Sequence, residues 1–208
     1  MFPRLQPLRL LLIFAALMFH AVAAEPASPT SGIQRQRADK IVGTLGLADG
    51  AQAARVRDII VRQYADLSVI HATRDAALQA AQSGPAAARE AAAAAQHALH
   101  PQYLARLAAE LTPAQVEQVK DGMTYGVLPV TFRVYQEMLP DLTAEQKAQI
   151  LTWLTEAREL AMDASTSGEK HGWFGKYKGR INNYLSQAGI DMKQAEKDLQ
   201  ARKKAATK

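Results

Sequence analysis

LTAEQKAQILTWLTEAREL, residues 142–160, combines a helix start with a helix stripe. A threonine at an N-cap accepts a hydrogen bond from an otherwise unpaired backbone N–H, and a glutamine three residues on reaches back to the cap residue's own N–H. Thr143 and Gln146 have that spacing. Downstream, Ile150, Trp153, Leu154, Ala157 and Leu160 recur three and four apart, the period of a helix that buries one face. The same start occurs at Leu111-Thr112-Pro113-Ala114-Gln115, where Pro113 takes the first helical position, whose N–H would be orphaned in any case. A looser version, Asp49-Gly50-Ala51-Gln52, opens a long helix toward residue 82, with Val56, Ile59, Ile60, Leu67 and Ile70 as its stripe. Each cap contributes about 1 kcal/mol.

Between these starts the chain reads as further helix. Residues 86–99, AAAREAAAAAQHAL, favour helix intrinsically but offer little side chain to bury, which suits a thin antiparallel packing partner. Pro101 is expected to end or kink that helix. In residues 121–143, DGMTYGVLPVTFRVYQEMLPDLT, glycines and prolines predict a loop, a short helix near Val130 to Leu139 and another turn. Runs of β-branched residues are too few to supply strands. The expected architecture is all-α: an irregular single-domain bundle with long antiparallel helices and no sheet.

The N-terminal segment reads differently. Arg4 and Arg9, the apolar run Leu10 to Phe19, and Ala21-Val22-Ala23 before Ala24 have the form of a cleaved secretory signal peptide over residues 1–24. The apolar run is shorter than the roughly 20 residues that span a bilayer. Residues 25–34, EPASPTSGIQ, have a linker composition and are expected to be flexible, with the helical domain over 35–208. The protein is therefore expected to be periplasmic or secreted, with no stable membrane anchor after cleavage. Absence of cysteine rules out a lipid-bearing cysteine, disulfides, thiolate metal sites and cysteine nucleophiles. Without Arg4 and Arg9 the chain carries 23 basic and 20 acidic side chains, a net +3. So mild an excess, on an exported chain, gives no expectation of a nucleic-acid partner.

Chemistry concentrates in residues 171–185, HGWFGKYKGRINNYL. On a helical wheel, Phe174, Ile181, Leu185 and Ala188 form a core stripe. Trp173, Lys176, Tyr177, Arg180 and Tyr184 fall on the adjacent face, with Asn183 at its edge, and Gly172, Gly175 and Gly179 on a third. Flat aromatic surfaces beside cations and an amide suit a sugar, above all an acidic one: rings stack on the aromatics, and Lys and Arg bond carboxylates. Semi-buried packing of the same aromatics, with Lys and Arg solvated beside them, is the alternative. Three glycines within a helix cost roughly 1 kcal/mol each against alanine, which close approach of a helix or ligand would offset; otherwise the helix begins after Gly175. His97 and His100 lack an evident third metal ligand, and nothing fixes Glu169, His171 and Asp191 as acid and base. No phosphate loop or serine elbow occurs, and no cofactor or catalytic residue is expected.

Two resemblances attach to these segments. DGMTYGVLPVTFRVYQEMLPDLTAEQKAQIL and HGWFGKYKGRINNYLSQAG resemble an exported bacterial family, domain of unknown function 3826, roughly from Ala38 to Gln194. That resemblance implies sugar binding in the company of polysaccharide-degrading systems. The Leu-Thr-x-x-Gln repeats are similar to those of the small helical periplasmic chaperones of the Spy and CpxP type, which implies protein clients as an alternative. The favoured expectation is a non-enzymatic carbohydrate-binding protein using Trp173, Lys176, Tyr177, Arg180, Asn183 and Tyr184.

Overall fold

The computed structural model describes residues 29–80 and 85–206. The expected signal peptide and residues 25–28 lie outside that range. Among the described residues there are eight α-helices and no strand: α1 (Pro29–Val42), α2 (Gly50–Ala80), α3 (Pro85–Ala108), α4 (Pro113–Met123), α5 (Val127–Met138), α6 (Ala144–Met162), α7 (Ser167–Gln187) and α8 (Met192–Ala206). The all-α expectation holds.

Both Leu-Thr-x-x-Gln segments form complete capping boxes. Gln115 N donates to Thr112 Oγ1 at 3.3 Å and Thr112 N to Gln115 Oε1 at 3.1 Å; the equivalent distances at Thr143 and Gln146 are 3.2 and 2.9 Å. Gln115 also spends its amide on Leu45 O at 3.1 Å, fixing the start of α4 to the end of the α1 segment. Asp49 caps α2 through Ala51 N, and Thr166 caps α7 through Glu169 N.

The stripes bury in two cores. Ala38, Ile41, Val56, Ile60, Tyr103, Leu107, Val119 and Met123, from α1 to α4, pack with Met162 from the last turn of α6. Leu128, Tyr135, Leu142, Ile150, Leu154, Ala157, Phe174, Ile181 and Leu185, from α5 to α7, form the second. Gly122 lets α4 lie against α1, since a Cβ there would come 2.8 Å from Ile41 Cγ1. Between α4 and α5 stand only Thr124, Tyr125 and Gly126. Tyr125 (φ 59°) and Gly126 (φ 65°) are both left-handed, which costs a non-glycine residue about 1–2 kcal/mol. Gly126 N closes this turn on Asp121 O at 2.8 Å, and the fully buried Thr124 donates its hydroxyl to Lys120 O.

Four expectations need correction. Residues 29–34 of the expected flexible linker are the first turns of α1, because the helix continues upstream of Ala38 far enough for Gln34 to bury and donate to Ser68 Oγ at 3.2 Å. Pro101 does not end α3, which runs on to Ala108 because Tyr103 and Leu107 beyond it are fully buried. The loop expected from Asp121 shrinks to three residues, and Pro129 sits in the first turn of α5, where its missing N–H costs nothing. Finally, α7 includes Gly172, Gly175 and Gly179, yet a Cβ at any of them would meet nothing within 4 Å. No close approach explains them.

Two glycine substitutions should therefore act in opposite directions in denaturant unfolding. Gly122→Ala is expected to destabilise by about 1–3 kcal/mol through overlap with Ile41, and Gly175→Ala to stabilise by up to about 1 kcal/mol.

Candidate functional site

The pairs α2/α3 and α6/α7 face one another across a cleft of about 1030 Å³. His71 and Arg74 come from α2, His97 and His100 from α3, Glu159 and Asp163 from the end of α6, and Glu169, Trp173 and Lys176 from α7. Small residues keep it open: Ala93 from the alanine run of α3 lines one wall and Gly172 the other.

His100 is clamped between two carboxylates. Its Nδ1 lies 2.8 Å from Asp163 Oδ2 and its Nε2 lies 3.1 Å from Glu159 Oε2. Carboxylate oxygens accept, so both nitrogens donate and the ring is an imidazolium. These two bonds, Asp163 first, push its pKa up to about 9. Glu159 also accepts from Lys120 at 3.2 Å and Arg158 at 3.2 Å. Burial acts to raise the Glu159 pKa, but His100, Lys120 and Arg158 together hold it down to about 2. Arg158, 3% exposed, further donates to Asp121 Oδ1 at 2.9 Å and to Glu117. One polar network thus runs from α4 through α6 to α3.

The backbone carbonyl of Asp163, just past α6, extends it. His71 Nε2 donates to that oxygen at 2.8 Å and Gln96 Nε2 at 2.9 Å. The acceptor is a carbonyl, so the His71 proton resides on Nε2. Because both nitrogens of His100 donate, that ring has no lone pair to offer a metal, and the His97/His100 pair is not a ligand set.

The sequence-predicted residues divide between two depressions. Trp173 and Lys176 line the cleft, with Lys176 Nζ 5.2 Å from the Trp173 ring centroid. Lys176, Arg180, Asn183 and Tyr184 line a second, shallower hollow of about 540 Å³, completed by Trp153 from α6. The Arg180 guanidinium lies 4.4 Å from the Trp153 centroid, and Tyr184 meets the same indole edge-on at 5.3 Å and 88°. Tyr177 lines neither depression: it packs against the second core, and burial, then the Glu156 carboxylate, raise its pKa. Glu169, His171 and Asp191 are committed to local partners: Glu169 to Ser165, His171 to Ser167 O and the Tyr125 ring, and Asp191 to Gln194 N.

Sequence reasoning missed Trp153 as a site residue, having assigned it to the α6 stripe, and missed the clamp on His100. One signal was available. Glu159 in the last turn of α6 and Asp163 just beyond it place carboxylates at the negative end of the helix dipole, where cations are favoured instead. Such a pair calls for cations from elsewhere in the fold.

Over residues 32–205 the sequence matches the model of a family described as a protein of unknown function, DUF3826. The chain belongs to that family. No curated protein matches it. The DUF3826 region takes in all of α2 to α7, so cleft and hollow both lie within it.

The His100 clamp makes stability depend on pH. Its folded pKa is raised above the ordinary value near 6.5, so the stability it adds is fully present below pH 6.5 and is lost as pH rises through about 9. Burial, then Arg37, lower Lys170 to about 8, which acts with opposite sign above that pH and is common to wild type and variant. His100→Asn is expected to destabilise by roughly 1–3 kcal/mol at pH 6.5. The difference in Tm between the two proteins should narrow steadily toward pH 9 in thermal unfolding.

Proposed function

We propose that this protein is an exported, non-enzymatic binding protein that holds an acidic carbohydrate along α7. The observation that carries the reading is a pair of aromatic–cation platforms on one exposed face: Trp173 with Lys176, and Trp153 with Arg180. Trp173 and Arg180 are seven residues apart, about 10 Å along the helix axis at 1.5 Å per residue. An extended polymer laid on this face meets both platforms, with Lys176 shared by the two depressions.

Charge and proton chemistry support the same ligand class. Lys176 makes no ion pair among the described residues, and the Arg180 pair with Glu156 is solvent-exposed at 3.6 Å, so a ligand carboxylate can replace it at small cost. Asn183 adds a directional amide at the edge of the hollow. Binding without catalysis is favoured because His100 keeps its proton up to about pH 9 and Glu159 stays ionised down to about pH 2. Neither exchanges a proton near neutral pH, as a general acid or base must. Export rests on the signal-peptide pattern of residues 1–24.

Wild-type protein should be retained on uronic-acid polymers in affinity electrophoresis, more weakly as salt rises. Trp173→Ala combined with Arg180→Ala should reduce affinity by at least about tenfold, given the worth of two desolvated aromatic–cation contacts, with helical circular dichroism intact. Unchanged retention would sink the proposal, as would loss of the helical signal.

A further inference from the structure

Behind the cleft, on the far side of His71, lies a separate cavity of about 350 Å³ between α1, α2 and the α6–α7 turn. Its wall carries Arg37, Tyr64, Ser68, His71, Ser165 and Lys170. Lys170 is 5% exposed, and its Nζ donates to Ala161 O at 2.8 Å and Met162 O at 3.0 Å. These bonds cap the C-terminus of α6. An ammonium has three N–H groups, so one remains unspent. No carboxylate lies within ion-pair distance of this buried charge among the described residues. Burying an ammonium is costly when no anion pairs with it.

Arg37 reaches the same cavity from α1 and forms no ion pair or hydrogen bond among the described residues. The Tyr64 hydroxyl bonds none of them either, and burial keeps it protonated up to about pH 12, so it stands as a donor. The carboxylates nearest Lys170 are engaged: Asp163 with His100, and Glu169 with Ser165. Ser68 and Ser165 line the wall, but their hydroxyls donate to Tyr64 O and Glu169. Helix capping accounts for two N–H groups of Lys170. It does not account for a second cation and a phenolic donor converging on the same small space.

We propose that this cavity binds a small oxyanion of the phosphate or sulfate type, held between the Arg37 guanidinium and the third N–H of Lys170, with Tyr64 donating its hydroxyl. A tetrahedral dianion matches two cations and a neutral donor, and bonds from charged donors to oxyanions are the strong ones. The volume is at the low end for ligand cavities, which suits a single charged group. The site stands on its own residues and is independent of the carbohydrate face.

The test is isothermal titration of the mature chain with inorganic phosphate and with sulfate, against chloride at equal ionic strength, and with methyl phosphate in a parallel arm. One saturable phosphate or sulfate site per chain is expected, with Tm rising as either anion, but not chloride, is added. Arg37→Gln, at an exposed position, should lower affinity at least about tenfold with the helical signal unchanged. Tyr64→Phe should lower it less. Trp173→Ala should leave anion affinity as in wild type while impairing carbohydrate retention, so the two readings fail separately. Methyl phosphate binding as well as inorganic phosphate would identify the anion as the end group of a larger ligand; weaker binding would identify it as the free ion. No saturable binding, or equal affinity in wild type and Arg37→Gln, would overturn the site.

Discussion

Arg158 is the side chain on which the arrangement of this molecule turns. It projects from α6, the helix whose apolar face belongs to the second core and whose last turn enters the first. With 3% of its surface exposed, its charge is offset by Glu117 and Asp121 from α4 and by Glu159 on its own helix. A buried ion network of this kind contributes little net stability over an apolar equivalent, because withdrawing each charge from water is costly. What it supplies here is register. Apolar surfaces slide past one another at small cost, whereas a guanidinium shared by three carboxylates has few acceptable positions. Once Arg158 is placed, Glu159 follows on the next residue and the His100 clamp closes.

The cleft depends on that placement. Its end at the α6 terminus is made of polar atoms that belong to the network, and its long walls are made of residues too small to fill it. Alanine on α3 and glycine on α7 leave space where larger side chains would close the two helical pairs together. The aromatic and cationic side chains then stand at the margin, where the indole faces are half-exposed and the cations remain hydrated. Trp173 and Trp153 each serve packing and surface at once, which dissolves the choice between core and site posed by the α7 wheel.

Local features were legible in the sequence. The capping boxes at Thr112 and Thr143 depend on atoms three residues apart, and the stripes of α2, α6 and α7 on a period of 3.6, so a window of a few turns contains all the information. The face carrying Lys176, Arg180, Asn183 and Tyr184 was legible for the same reason. Tyr177 was misassigned because a wheel does not say which neighbour covers a face; the second core covers its ring. The contacts of His100 with Glu159 and Asp163 were not legible, since they join residues 59 and 63 apart. Pro101 misled because helix propensity was outweighed by the burial of Tyr103 and Leu107.

The turn of Thr124, Tyr125 and Gly126 has a consequence for the order of assembly. The chain passes from one core to the other there, so α1 to α4 and α5 to α8 are each continuous in sequence. Contacts within a core close comparatively short loops, and the entropy of loop closure stays modest. A topology so weighted toward local contacts belongs with the fast-folding helical proteins rather than with slow ones built on distant pairings. The long-range bonds of Arg158 and His100 join segments that are each able to collapse beforehand, which makes them the seal between two nearly finished halves.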